Sequence, residues 1–252
     1  MLDMQRAGVW KRFAAWLLDL ILVTILAAGF GTVLSSTMKY DEKVNRLEGL
    51  YAKYEQEYGV RFDISAEEYE KLTPDQLELY KKASDAVAAD EQMGDLYNLI
   101  VHQSLIMISV GILISVLILE FVVPIAFGNG QTVGKKVFGI GLMRTDHVKV
   151  NAMQMFVRTL LGKYTIEMMF PIYILFLSFL GVMGITGTLV VAGLLLVEMI
   201  LLVANKNHAQ IHDLLAGTVA VDITCQKIFE SEEARLEYTK RIHAEETAKK
   251  GY

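Results

Sequence analysis

Four apolar runs, each about long enough to cross a bilayer, constrain this chain more than any other feature. They lie at about residues 13–33, 99–127, 164–182 and 185–204. A helix rises about 1.5 Å per residue, so roughly 20 residues cross the ~30 Å of hydrocarbon. Inside lipid the backbone must satisfy its own hydrogen bonds, and a continuous apolar run does so as a helix. Apolar residues are 53% of the 252 and mean hydropathy is +0.37, while the charges fall in blocks at 37–98, 131–163 and 206–252. This blockwise pattern predicts an all-α polytopic membrane protein with four transmembrane helices.

Six segments follow. Residues 1–36 hold a short N-terminus and the first span, 37–98 a polar insert, and 99–127 the second span. Residues 128–163 form a basic loop, 164–204 the third and fourth spans, and 205–252 a closing motif and charged tail. Arg6, Lys11 and Arg12 before an apolar core resemble the start of a signal peptide. Asp19 interrupts that core, however, and its 21 residues suit a span better than a cleaved leader. Cys225 is the only cysteine, so no internal disulfide can form. With a net charge of −5, nothing points to nucleic acid as a partner.

The insert carries fifteen acids against eight bases but reads as structured. Tyr40, Val44, Leu47, Tyr51, Tyr54 and Tyr58 recur at steps of three and four, which places them on one helical face. Gly59 ends that helix. Ser65-Ala-Glu-Glu68 and Thr73-Pro-Asp-Gln76 each match a capping box, the second with proline at the first helical position. The expectation is a helical hairpin whose apolar stripe packs inward.

Basic residues set the orientation. Lys11 and Arg12 precede the first span, the 128–163 loop is basic, and Lys206 follows the fourth span. The acidic insert and the Gly181, Gly184 and Gly187 turn fall on the other side. The positive-inside rule then puts both termini in the cytoplasm of a cell-membrane protein and the insert outside it.

Within the spans, charge is the informative exception. Arg12 and Asp19 are seven apart, about two turns, and share a helix face. A bare carboxylate in hydrocarbon costs about 2.5 to 3.5 kcal/mol on insertion scales, so Asp19 needs a partner or a wet cavity. Under this topology Asp19, Glu120 and Glu198 all lie roughly 9 to 10 Å below the cytoplasmic surface. Arg12, Lys135 and Asp213 fall close to the same depth in sequence terms. Arg12 and Lys135 are the expected counter-charges. The structural alternative is that Arg12 snorkels to lipid phosphate and the acids pair locally for packing.

Other motifs carry less. Gly130-x-x-x-Gly134-Lys135-Lys136 lacks the spacing and the Ser or Thr of a phosphate-binding loop, and reads better as a glycine-permitted turn. His208 and His212 could share a helix face, but Ala209 stands where a metalloprotease motif needs Glu, so no metal is expected. His212 is expected to hydrogen-bond near Asp213. No nucleophile–base spacing is visible, so no enzyme and no cofactor are expected.

These same residues resemble the RDD family of membrane proteins, named for one arginine and two aspartates. Arg12…Asp19 is similar to that family's opening signature. Gly130-Gln-Thr-Val-Gly-Lys-Lys-Val-Phe-Gly-Ile140 is similar to its central loop, and Gln210-Ile-His-Asp-Leu-Leu-Ala-Gly-Thr-Val219 to its closing motif. Asp213 is then the second aspartate, and Arg158 fits a basic position before the third span. The resemblance covers about three fifths of the chain and leaves the insert out. It implies a transport-like membrane protein, with sodium/proton antiport suggested for some members.

The expected function is transport of a cation, a proton or a small solute through a polar site in the inner leaflet. Arg12 would set charge balance, Asp19 and Asp213 would carry the ion, and Glu120, Glu198, Lys135 and His212 would support them. The alternative is a non-transporting scaffold that binds a protein partner through the insert or the tail. Four short spans make a thin wall, so a homo-oligomer or a protein partner stays open under either reading.

Overall fold

The computed structural model of the chain describes residues 4–204 and 209–250. Helices make up 76% of it. In chain order these are α1 (Val9–Met38), α2 (Tyr40–Tyr58), α3 (Ala66–Glu70), α4 (Pro74–Ala89), α5 (Glu91–Phe127) and α6 (Val133–Val137), then strand β1 (Ile140–Arg144). After it come α7 (Ala152–Phe179), α8 (Gly184–Ala204), α9 (Ile211–Ala216), strand β2 (Thr218–Asp222) and α10 (Glu232–Lys250). Four of the helices, α1, α5, α7 and α8, are long and apolar enough to cross a membrane. They carry large apolar side chains outward, such as Ile25, Leu189 and Val203, as helices that contact lipid do. The chain divides into two units, residues 28–111 and the remainder.

The larger unit contains a feature an all-helical reading leaves out. β1 and β2 pair antiparallel, with Leu142 opposite Ala220 and Met143 opposite Val219. Ile140, Leu142 and Ala220 pack on one face with Ala7, Ala15 and Met155, while Met143, Val219 and Val221 pack on the other. A strand covered on both faces loses the alternation of polar and apolar residues by which strands are recognised. The N-terminal segment runs along the outer edge of β2, with Ala7 N–H donating to Ala220 O (3.2 Å) and Asp222 N–H to Gln5 O (3.0 Å).

The third long helix also starts earlier than its hydropathy suggests. α7 opens at Ala152 behind an Asn151–Gln154 capping box, twelve residues ahead of the expected start of the span. Arg158 and Lys163 are therefore helical residues of a spanning helix and not loop residues. Two stretches, Leu117–Val122 in α5 and Val157–Met169 in α7, are wound as π-helix. Each ends just before a proline, Pro124 or Pro171. Proline cannot donate its backbone hydrogen bond and crowds the carbonyl four residues earlier, and a wider turn relieves both.

The turn between α7 and α8 uses Gly181 and Gly184, both with positive φ. Gly187 is not part of it. It lies inside α8, where a Cβ would run into Ser178 Oγ and hold the two helices apart.

In the smaller unit α2 packs on α4. Both expected capping boxes form, Ser65 with Glu68 and Thr73 with Gln76. Tyr40, Val44, Leu47, Tyr51, Tyr54 and Tyr58 are the half-buried face of α2, as their spacing requires. Phe62 bridges the helices, its ring 5.7 Å from both Tyr51 and Tyr80. Tyr54 Oη donates to Asp90 at 2.9 Å.

Candidate functional site

The site lies wholly in the larger unit and starts with the geometry of α1. Arg12, Ala15 and Asp19 share one face of the helix and are all buried. Ala15 is the small residue between the two charges, and it lets a second backbone come close. That backbone is the turn into α6. A Cβ on Gly134 would collide with the Ala15 carbonyl oxygen and sit 2.9 Å from the Asp19 carboxylate. Glycine there lets its own N–H donate to Asp19 Oδ1 at 2.7 Å, while the Thr132 hydroxyl donates to Asp19 Oδ2. Asp19 is thus satisfied by a hydroxyl and an amide, and the Gly130–Lys136 motif is the socket that supplies them.

Asp213 takes the guanidinium expected for Asp19. Arg12 Nη2 donates to Asp213 Oδ2 at 3.0 Å, and Arg158 Nη1 donates to Asp213 Oδ1. Thr218 Oγ1 accepts from Arg158 at 2.8 Å and donates to Asp213 Oδ1 at 3.1 Å. Burial alone would push the Asp213 carboxyl up, but Arg158, His212 and Arg12 together hold it far below the usual carboxylate range. Asp213 is a fixed negative charge at any physiological pH.

A second ion cluster forms around Glu120 on the π-wound part of α5. Lys163 Nζ lies 2.6 Å from Glu120 Oε2 and Lys135 Nζ 4.0 Å from the same atom. The Thr159 hydroxyl donates to the Glu120 carbonyl at 2.9 Å. A helix bonded i to i+5 is wider than an α-helix, and it turns residues five apart closer to one side, so Arg158 and Lys163 both face inward. The winding thereby gives one helix two cations for two separate acids. Lys135, outside the spanning helices, is buried beside Lys163. Burial first, then that neighbour, push its ammonium down to about 7 despite Glu120.

His212 joins a third group. A Cβ on Gly162 would fall 2.6 Å from His212 Cα, so glycine admits α9 against α7. His212 Nδ1 lies 2.6 Å from Glu167 Oε1, its backbone N–H donates to the same oxygen at 3.1 Å, and its Nε2 is 3.6 Å from Asp213 Oδ2. Burial and Arg158 lower the imidazole's affinity for a second proton, against the pull of Glu167 and Asp213. Glu198 on α8 has both carboxylate oxygens buried. It faces Glu167 and the Ile211 amide, without a normal hydrogen bond to any described residue.

Arg12, Asp19, Lys135, Arg158, Lys163 and His212 line one cavity of about 30 Å³. A water needs about 10 to 15 Å³ by this measure, so the space holds about two. The sequence singled out Arg12, Asp19, Glu120, Lys135, Glu198, His212 and Asp213. Of these, Arg12, Asp19, Lys135 and His212 line the cavity, Glu120 and Asp213 pair with cations that line it, and Glu198 lies outside its wall beside Glu167. Lys163, Glu167 and the hydroxyls of Thr132, Thr159 and Thr218 were not singled out. Their only sequence signal is polarity at the edge of an apolar run. Among the described residues no group of three or more side chains could hold a metal, and His208 lies outside them, as does Lys206.

Four long apolar helices around a buried, charge-balanced polar cluster define a membrane-type protein. The RDD family model matches residues 6–217, and the chain belongs to the RDD family. That match includes every charged residue of the site, and Thr218 lies one residue beyond it. No curated protein and no solved structure matches the chain.

Proposed function

We propose that this protein moves a proton, in exchange for or together with a small monovalent cation, through the buried charge cluster. The observation that carries the reading is the cavity of about 30 Å³ walled by Arg12, Asp19, Lys135, Arg158, Lys163 and His212. Pockets for organic ligands run to about 300 Å³ and more, so an aqueous ion or a proton fits this space and an organic solute does not. Charged groups inside a span are costly and mark ion and proton paths.

Roles within the cluster follow from their partners. Asp213 sits between two arginines and serves as a fixed counter-charge. Asp19, held only by a hydroxyl and an amide, is the carboxylate open to a cation. Lys135, poised near pH 7 between Asp19, Glu120 and Lys163, is the group that gains and loses the proton. The protein is read as a four-pass protein of the cell membrane with both termini cytoplasmic and the 37–98 insert on the opposite side, following its basic residues.

The test is flux by the purified protein in liposomes under a pH gradient, with sodium or potassium present. Wild type is expected to dissipate the gradient in a cation-dependent way. Lys135→Met and Asp19→Asn, both folded, are expected to lose the activity. If wild type carries no flux, the transport reading fails and the scaffold reading takes its place.

A further inference from the structure

Behind the cavity lies a feature that ion pairing does not explain. Glu198 comes from α8 with both carboxylate oxygens sealed from solvent and without a normal hydrogen bond among the described residues. Among the described residues, the ionisable groups that act on it are two other carboxylates, Glu167 of α7 and Asp213 of α9. Among the described residues the cations close to this corner are engaged elsewhere. Lys163 acts on Glu167 and is bonded to Glu120, and both arginines are spent on Asp213. Both residues are half-buried, and two carboxylates that face each other away from bulk water ionise together only at a cost, which a shared proton removes.

Glu167 is also tied to the cavity. Its Oε1 holds His212 Nδ1 at 2.6 Å, and His212 lines the cavity wall. A neutral imidazole between an acid and water can pass a proton, taking one on one nitrogen and releasing one from the other.

We propose that Glu167 and Glu198 form a site that binds one proton between them and exchanges it with the cavity through His212. The step balances. An excess proton carried by cavity water goes to His212 Nε2 and leaves neutral water behind, His212 Nδ1 gives its own proton to Glu167, and that proton comes to rest between Glu167 and Glu198. The imidazole is left as its other tautomer and resets when the proton returns by the same route. The pair is therefore a reversible store at the end of a branch. It deepens the transport reading but does not depend on measurable flux.

Infrared spectroscopy on the full-length protein tests it, because the carbonyl stretch of a protonated carboxyl is absent from the ionised form. Wild type at pH 7 is expected to show one such band, shifted by deuterium exchange. Both Glu198→Gln and Glu167→Gln should abolish it, and Glu198→Asp should keep it at a changed position. His212→Ala should keep the band but slow its exchange at least several-fold. A wild-type spectrum without the band, or a band that survives in both glutamine variants, would overturn the proposal. A protein that shows the band but no flux would sink the transport reading and leave the proton site standing.

Discussion

The two units of this chain handle charge in opposite ways. In residues 28–111 the ion pairs are exposed and local, Lys39 with Glu42 and Lys82 with Glu78, three and four residues apart. In the rest of the chain the pairs that matter are buried and distant. Arg12 and Asp213 are 201 positions apart, Arg158 and Asp213 are 55, and Asp19 and Gly134 are 115. Exposed pairs on a helix surface contribute little, whereas breaking a buried pair strands a charge that has no water to turn to. Charge density is therefore no guide to where charge matters.

Mutations can break that contrast or sharpen it, and the largest effect belongs to Asp213. Asp213→Ala leaves Arg12 and Arg158 facing each other in a buried site and should cost about 3 to 5 kcal/mol. Thermal unfolding in detergent reads it, and a melting point like that of wild type would erase the distinction between the units. Next come two glycines. Gly134→Ala drives a methyl into the Ala15 carbonyl and should cost about 1 to 3 kcal/mol. Gly49→Ala, on a helical stretch of α2 with open space around it, should stabilise by about 0.4 to 1 kcal/mol. Opposite signs for one chemical change would show how differently the two units are packed, and equal signs would deny it.

Lys135 makes the contrast depend on pH. Its folded pKa of about 7 lies below the ordinary lysine value, so between the two the unfolded chain holds one more proton. Stability should rise with pH through that window, by up to about 1.4 kcal/mol per unit, and fall on return to neutrality. Lys135→Met should flatten this slope, measured as melting temperature from pH 7 to 10, and an unchanged slope would move the titration elsewhere. The smallest effects are in the 28–111 unit. Thr73→Ala removes one helix cap and should cost about 1 kcal/mol. Glu78→Gln should leave the melting point unmoved.

The same contrast explains what could be read in advance. The capping boxes at Ser65 and Thr73 and the tyrosine face of α2 depend on neighbours three or four residues away, and the sequence displays such neighbours directly. The spanning helices are legible from hydropathy, and burial of Asp19 and Arg12 follows from their place in the first run. Their partners were not legible. Thr132 and Gly134 meet Asp19 only because Ala15 is small, and Arg12 passes over Asp19 for an aspartate near the far end of the chain. The start of α7 was hidden because Arg158 and Lys163 look like loop residues until Asp213 and Glu120 neutralise them. β1 and β2 were hidden because each is short and apolar on both faces, and each is identified only by the other.

The pairing of Arg12 with Asp213 also bears on how the molecule is made. Synthesis runs from the N-terminus, so α1 is complete long before the six-residue helix that carries its aspartate. At about 5 to 20 residues per second, the ribosome reaches position 213 roughly 10 to 40 s after position 12. For that interval the newborn helix holds a cation whose carboxylate does not yet exist. A chain cut short before α9 lacks the aspartate that Arg12 pairs with, so the charge on its first helix is settled only late in synthesis.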